Sequence, residues 1–150
     1  LKVVLQRVRR AKVFIEDTGT EQEIEKGIVL LCAIEKNDTE KELKWVADRC
    51  VNLRIFEDSN GKMNLSVMDI EGDILAISNF TVAGNTKKGR RPSFDGAEKP
   101  EIAEKLFEKF LDFLKSYNLT VKTGKFGAKM LIYIENDGPV TLLVEKQHTE

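Results

Sequence analysis

At Ser78-Asn79-Phe80-Thr81 an apolar strand segment gives way to two hydroxyls, an amide and an aromatic ring. Such a group offers donors for a polar substrate, a ring face on which a base can stack, and strand-end N–H groups able to hold an oxyanion. The same side chains equally well satisfy the backbone of a turn, so the tetrapeptide alone leaves both readings open. Shortly after it, Lys87, Lys88, Arg90 and Arg91 place four positive charges in five residues with no acid among them. That run suits contact with a phosphate backbone, or an ordinary solvated loop. A third feature is Asn136-Asp137-Gly138-Pro139-Val140-Thr141. Gly-Pro before a strand is commonly a turn and the start of an edge strand; an X-Pro bond can also be cis, which would set backbone carbonyls in a rigid wall. The sequence does not decide the isomer.

Other chemistries are poorly supported. Gly84 to Gly89 has the G-x-x-x-x-G spacing of a phosphate loop, but the next two positions are Arg90 and Arg91 rather than Lys and Ser/Thr, and Pro92 follows where a helix should open. The only histidine, His148, is the third residue from the polar end of the sequence, where residues are mobile unless tied down. Histidine-based nucleophilic catalysis and most metal sites therefore lack their central group. Cys32 and Cys50 sit in apolar stretches without C-x-x-C or Cys/His spacing, which points to buried thiols in a reducing compartment.

The elements that position these groups read as one domain. With 150 residues, the chain is long enough to hide roughly 68 to 70% of its unfolded surface. Lys+Arg 24 against Asp+Glu 25 gives a net charge of −1, which excludes a uniformly basic nucleic-acid coat. It conceals two local basic runs, Lys87 to Arg91 and the N-terminal Lys2, Arg7, Arg9, Arg10 and Lys12. The longest apolar run, Ile28 to Ile34, is too short to cross a bilayer, and Gln6 and Arg7 interrupt the N-terminal apolar stretch, so neither a membrane span nor a signal peptide is expected.

Lys2 to Val8 and Lys12 to Ile15 predict short strands, with a turn over Glu16 to Thr20 before Glu21 to Ile24. Gly27 to Ile34, apolar without alternation, predicts a strand buried on both faces. Thr39, with Glu42 three residues on, forms a capping box opening a helix whose stripe is Leu43, Val46, Ala47, Cys50 and Leu53. Strands are expected over Arg54 to Phe56, Met63 to Ser66 and the long segment Ile74 to Val82. Residues 84–97 form a loop too long for a simple turn. Pro100 then starts a second helix with Ile102, Leu106, Phe110, Phe113, Leu114 and Tyr117 at helical spacing, a core stripe. Leu119 to Thr123, Lys129 to Glu135 and Pro139 to Glu145 complete an α+β pattern, a single compact domain with a mostly antiparallel sheet and two main helices.

The ordered segments Val4 to Val8, Asn52 to Asp58, Gly61 to Ser66, Ser78 to Val82, Lys87 to Phe94, Thr123 to Ala128 and Asn136 to Thr141 together resemble the bacterial D-aminoacyl-tRNA deacylases almost end to end. The resemblance implies a cytoplasmic homodimer that hydrolyses the ester joining a D-amino acid to the 3′ end of tRNA, without cofactor or metal. The family's Ser-Gln-Phe-Thr motif maps onto Ser78, Asn79, Phe80 and Thr81, at the pocket for the terminal adenosine and its ester. Its Gly-cis-Pro motif maps onto Gly138 and Pro139, which in the family project into the partner's pocket. Arg7 corresponds to a residue that steadies that motif, Phe126 to a pocket-lining ring, and Lys87, Lys88, Arg90 and Arg91 lie where tRNA would be gripped. Asn79 departs from the family's glutamine and Val82 from its leucine; the shorter Asn79 puts that residue's own contact with substrate in question.

This task suits what the chain lacks. An enzyme serving many D-amino acids must read the configuration at Cα, and a carbonyl wall that accepts hydrogen but collides with the Cβ of an L-residue would do so; glycine, lacking Cβ, should pass. The substrate brings its own ribose hydroxyl, so proximity together with N–H groups near Phe80 and Thr81 can replace a histidine. Thr81 as nucleophile is the second mechanism, weakened by the absence of an evident base. A non-catalytic RNA-binding module is the alternative function, favoured by the basic runs and Phe80.

Overall fold

The protein is described from a computed structural model covering residues 1–149. Its longest hydrogen-bonded ladder is built on β1 (Lys2–Ile15), a single strand where two short ones were expected. Arg9 and Arg10 interrupt the apolar pattern without ending the strand, because the ladder to its C-terminal partner strand shifts register there. On β1, Val3 and Leu5 face one core cluster, joined by Leu1 just before the strand, whereas Val8, Ala11 and Val13 face another. A bulge changes which side chains point inward and bends the strand, and so lets one strand serve two cores.

One edge of β1 pairs antiparallel with β3 (Gly27–Ala33) along its first half and with β2 (Thr20–Ile24) along its second. Its other edge carries β8 (Met130–Glu145). β3 continues in parallel to β6 (Asp73–Ser78), and β6 to β7 (Val121–Thr123). A separate antiparallel pair joins β4 (Phe56–Glu57) to β5 (Met63–Leu65). Four antiparallel ladders against two parallel ones match the mostly antiparallel expectation. The parallel ladders arise where a helix lies between the paired strands, as parallel strands require long crossovers.

Those helices are α1 (Glu40–Asn52), between β3 and β6, and α2 (Pro100–Lys115), between β6 and β7. The capping box at Thr39 is present: Glu42 Oε2 accepts the Thr39 N–H at 2.8 Å as well as the Thr39 hydroxyl. Leu43, Val46, Ala47, Cys50 and Val51 of α1 meet Ala103, Phe107, Phe110, Leu111 and Leu114 of α2 in the larger core. Ile102, placed on the stripe by spacing, is exposed, and Phe107 takes its share of the buried face. Both faces of β3 are covered, Ile28, Leu30 and Cys32 on the helix side and Val29 in the second cluster. Cys32 and Cys50 are buried free thiols; burial pushes Cys50 up to about 12 and raises Cys32 well above the ordinary thiol value. No helix among the described residues is long and apolar enough to cross a membrane.

Candidate active site

β6 stops at Ser78 instead of running on to Val82. The Asn79 N–H donates to the Cys32 carbonyl at 2.7 Å, and the chain then closes into a 3-10 turn, Phe80–Ala83, with Val82 N–H on the Asn79 carbonyl at 3.1 Å. Asn79 so occupies the turn's N-cap. Phe80 and Thr81 come before Val82, the first donor of the turn, which leaves their own N–H groups without a partner inside it. Unspent donors at a strand end are what an oxyanion site needs.

Ser78, Asn79 and Phe80 line a cavity of about 740 Å³, together with Phe94 and Asp95 of the long loop, Phe126 to Ala128 after β7, and Met130 and Ile132 of β8. Phe80 is 57% exposed, and its ring meets Phe94 edge to face, centroids 5.1 Å apart at 75°. Gly84 makes this contact fit, since a Cβ there would lie 2.9 Å from the Phe94 ring. Phe126 is braced from behind by Phe107 of α2 at 6.4 Å. Thr81 does not line the cavity; its hydroxyl donates to Asn79 Oδ1 at 2.5 Å, so the short amide that departs from the family pattern is turned to Thr81.

Gly138 and Pro139 are joined by a cis bond, are exposed, and are not among the residues that line this chain's own cavity. Arg7, buried at 6% exposure, holds the segment that carries them: its Nη1 donates to the Ile55 carbonyl at 2.6 Å and its Nε to the Asp137 carbonyl at 2.9 Å. A side chain at Gly138 would collide with Arg7, its Cβ 2.6 Å from Nη2, and Gly138 has φ +133°. Asn136 closes the loop from the other side, its Nδ2 donating to Gln6 Oε1 at 2.8 Å and its Oδ1 accepting the Val140 N–H at 2.9 Å. Sequence reasoning included Asn136 in the motif without giving it this role; an Asn two residues before Gly-Pro, able to bond its own backbone, was the available signal.

The basic loop is pinned at its base by the pairing of Asn85 with Ser93, at 2.7 and 2.9 Å. Lys87, Lys88, Arg90 and Arg91 stand exposed at its tip, outside the cavity wall. The N-terminal basic run is a different matter. Lys2 pairs with Glu145, Arg9 with Asp137, Arg10 with Glu135 and Lys12 with Glu21, while Arg7 is buried. That run is neutralised across the ladders and forms no basic patch. His148, expected to be mobile, is tied down: its Nδ1 lies 2.9 Å from Glu42 Oε1, on α1 and outside the cavity.

The site is thus a cavity at the end of a parallel strand of a two-helix α+β domain, beside a turn with unspent N–H groups; among the described residues no three His, Cys, Asp or Glu cluster to hold an ion. Residues 4–145 match the family described as D-Tyr-tRNA(Tyr) deacylase. The chain is 52% identical over 145 residues to a D-aminoacyl-tRNA deacylase of Carboxydothermus hydrogenoformans, covering 97% of this chain and 99% of that one. It is 48% identical over 147 residues to the enzyme of that name from Thermosipho africanus, covering 98% of both. Among solved structures it superposes with TM-score 0.91 on a c-Myc DNA unwinding element binding protein, at 41% identity over 99% of this chain and 100% of that one. A probable eukaryotic D-amino acid tRNA deacylase shares the fold with TM-score 0.81 at 16% identity, covering 97% and 98%. This chain belongs to the D-aminoacyl-tRNA deacylase family of hydrolases.

Proposed function

We propose that the cavity receives the 3′-terminal aminoacyl-adenosine of a D-aminoacyl-tRNA in the cytoplasm, and that the ester is cleaved with the substrate's own ribose hydroxyl as the assisting group. Water adds to the acyl carbon, the bond from that carbon to the ribose oxygen breaks, and the proton released by water ends on the ribose oxygen. The products are the free D-amino acid and tRNA. The carrying observation is the turn at Asn79: it leaves the Phe80 and Thr81 N–H groups without a partner inside it, beside a cavity that Phe80 lines, while the Thr81 hydroxyl is spent on Asn79; this supports assigning those donors to the oxyanion.

Ser78 and Asn79 line the substrate side, Phe80 and Phe126 flank the adenosine or the amino-acid side chain, and the basic loop, Lys87, Lys88, Arg90 and Arg91, follows the RNA away from the cavity. In this reading the chirality wall comes from a second copy, whose Gly138 and Pro139 complete the cavity; that both are exposed and neither lines this chain's own cavity supports it. Glycyl-tRNA, with no Cβ to exclude, is a further substrate.

Incubation with D-Tyr-tRNA, L-Tyr-tRNA and Gly-tRNA tests the reading: rapid loss of the first and third with the second spared is expected, and equal background loss of D- and L-esters would overturn it. A non-catalytic nucleic-acid-binding module is the second reading, favoured by the name of the structural neighbour at TM-score 0.91. Retained RNA binding without turnover of any aminoacyl-tRNA would select it.

A further inference from the structure

Two lysines outside the basic loop stand at the cavity itself. Glu35 and Ala97 form an antiparallel bridge, flanked by the Lys36 N–H on the Gly96 carbonyl and the Glu98 N–H on the Ile34 carbonyl, each at 3.0 Å. This pairing lays the segment after β3 alongside the segment before α2. Lys36 and Lys99 stand at opposite ends of it, both exposed and both lining the cavity. Lys36 opens the turn that follows the bridge and Lys99 is the N-cap of α2, so the bridge brings lysines of two different segments to one rim. Neither lysine has an ion-pair partner among the described residues, unlike Lys2, Arg9, Arg10 and Lys12.

Two carboxylates share this rim, and they differ in availability. Glu98 Oε1 accepts the Lys99 N–H at 2.8 Å and is turned to the backbone, whereas Asp95 is exposed. The ligand of such a rim should carry anions near one or two points and a cation near another. An aminoacyl-adenosine alone carries only its α-ammonium; the anions of an RNA 3′ end are the phosphodiesters joining its last nucleotides. We propose that Lys36 and Lys99 clamp those terminal phosphodiesters at the mouth of the cavity, a step nearer the reacting ester than the basic loop. This rests on the reading that the cavity takes an RNA 3′ end.

The test uses the full chain with Lys36→Gln, Lys99→Gln and the double substitution, exposed positions where folding is insensitive. A fluorescein-labelled RNA oligonucleotide ending in CCA, titrated by anisotropy between about 50 and 200 mM salt, reads the clamp without turnover. Removing one lysine–phosphate ion pair on a single strand lowers the slope of log K against log salt by about 0.7, so the slope of the double variant should be shallower by about 1.4. In parallel, kcat/KM for D-Tyr-tRNA should fall several-fold more than for the D-tyrosyl ester of adenosine, which has no phosphodiester. An unchanged salt slope in the double variant, or equal reductions on the two esters, overturns the clamp. Failure of the wild-type chain to hydrolyse D-Tyr-tRNA, with the slope still reduced in the double variant, leaves the clamp standing and removes the deacylase mechanism.

Discussion

At Thr81 the choice between two mechanisms comes down to where one proton points. A hydroxyl has a single hydrogen to donate, and here it goes to the neutral amide oxygen of Asn79 at 2.5 Å. An amide is no base, and His148, the one imidazole, is held on Glu42. Thr81→Ala should therefore keep kcat within about tenfold of wild type, whereas loss of a true nucleophile costs on the order of 10⁴ or more; single-turnover hydrolysis of D-Tyr-tRNA separates the two. Arg7 is the opposite case, a buried residue whose Nε and Nη1 are both committed to backbone carbonyls. Arg7→Leu leaves the Ile55 and Asp137 carbonyls without their donor, at a cost of about 1 to 3 kcal/mol for each buried group. Denaturant unfolding should show the destabilisation, and the surviving folded protein should lose discrimination between D- and L-Tyr-tRNA. Arg7→Lys, able to satisfy one carbonyl at most, should fall between. Unchanged selectivity in folded Arg7→Leu would remove Gly138 and Pro139 from the chirality wall.

Among the elements, α1 carries the clearest pH signature. Burial works against the charge on Glu42, but hydrogen bonds from the Thr39 hydroxyl, His148 and the Thr39 N–H outweigh it and bring the carboxyl down to about 2. A depressed carboxylate stabilises the fold fully above its unfolded value of 4.5 and loses that contribution as pH falls toward 2. Thermal unfolding of Glu42→Gln should thus show a lower Tm than wild type at pH 7, with the difference closing between pH 4.5 and pH 2; a constant difference would mean that the missing interaction is packing and not charge. The cap itself was legible in the sequence because it is local, Thr39 and Glu42 being three residues apart. So were both helices, the doubly buried β3, and the loop over residues 84–97, each marked by its own periodicity or its Gly, Lys and Arg content. What was not legible depends on pairing. Arg9 and Arg10 look like a strand break until β8 supplies the register shift, and Phe80 to Ala83 look like more strand until the Asn79 N–H finds Cys32. The N-terminal basic run has the same cause: its acids, Glu21, Asp137, Glu135 and Glu145, are near only once the strands are side by side. The site motifs could be placed by resemblance, but the cavity lysines at 36 and 99 could not, since it takes the bridge from Glu35 to Ala97 to bring them to one rim.

For the whole molecule, the exposed Gly138-Pro139 segment is not part of the lining of the cavity on the same chain. Two-fold pairing resolves this economically, because an isologous interface sends each chain's segment into the other's cavity in a single arrangement. β8 supplies a surface for it: among the described residues the strand pairs with β1 alone, which leaves its other edge open, and it exposes the apolar side chains of Leu131, Tyr133, Leu142 and Leu143, features that folded proteins seldom leave uncovered. Sedimentation should therefore give a dimer of the 17.0 kDa chain. The sharper test mixes two defective chains. Ala128→Trp plugs the cavity from its wall but leaves the projecting segment intact, and Arg7→Leu disturbs the segment but leaves the cavity open. Each homodimer is then impaired at both sites, for different reasons. Co-refolding the two in equal amounts gives half heterodimers, each with one site in which an open cavity meets an intact segment, so about a quarter of wild-type selective activity should return. Recovery requires that the two halves of a site come from different chains; if a cavity were completed by its own chain, no pairing of these variants could restore it, and the mixture would show no more selective activity than its parts.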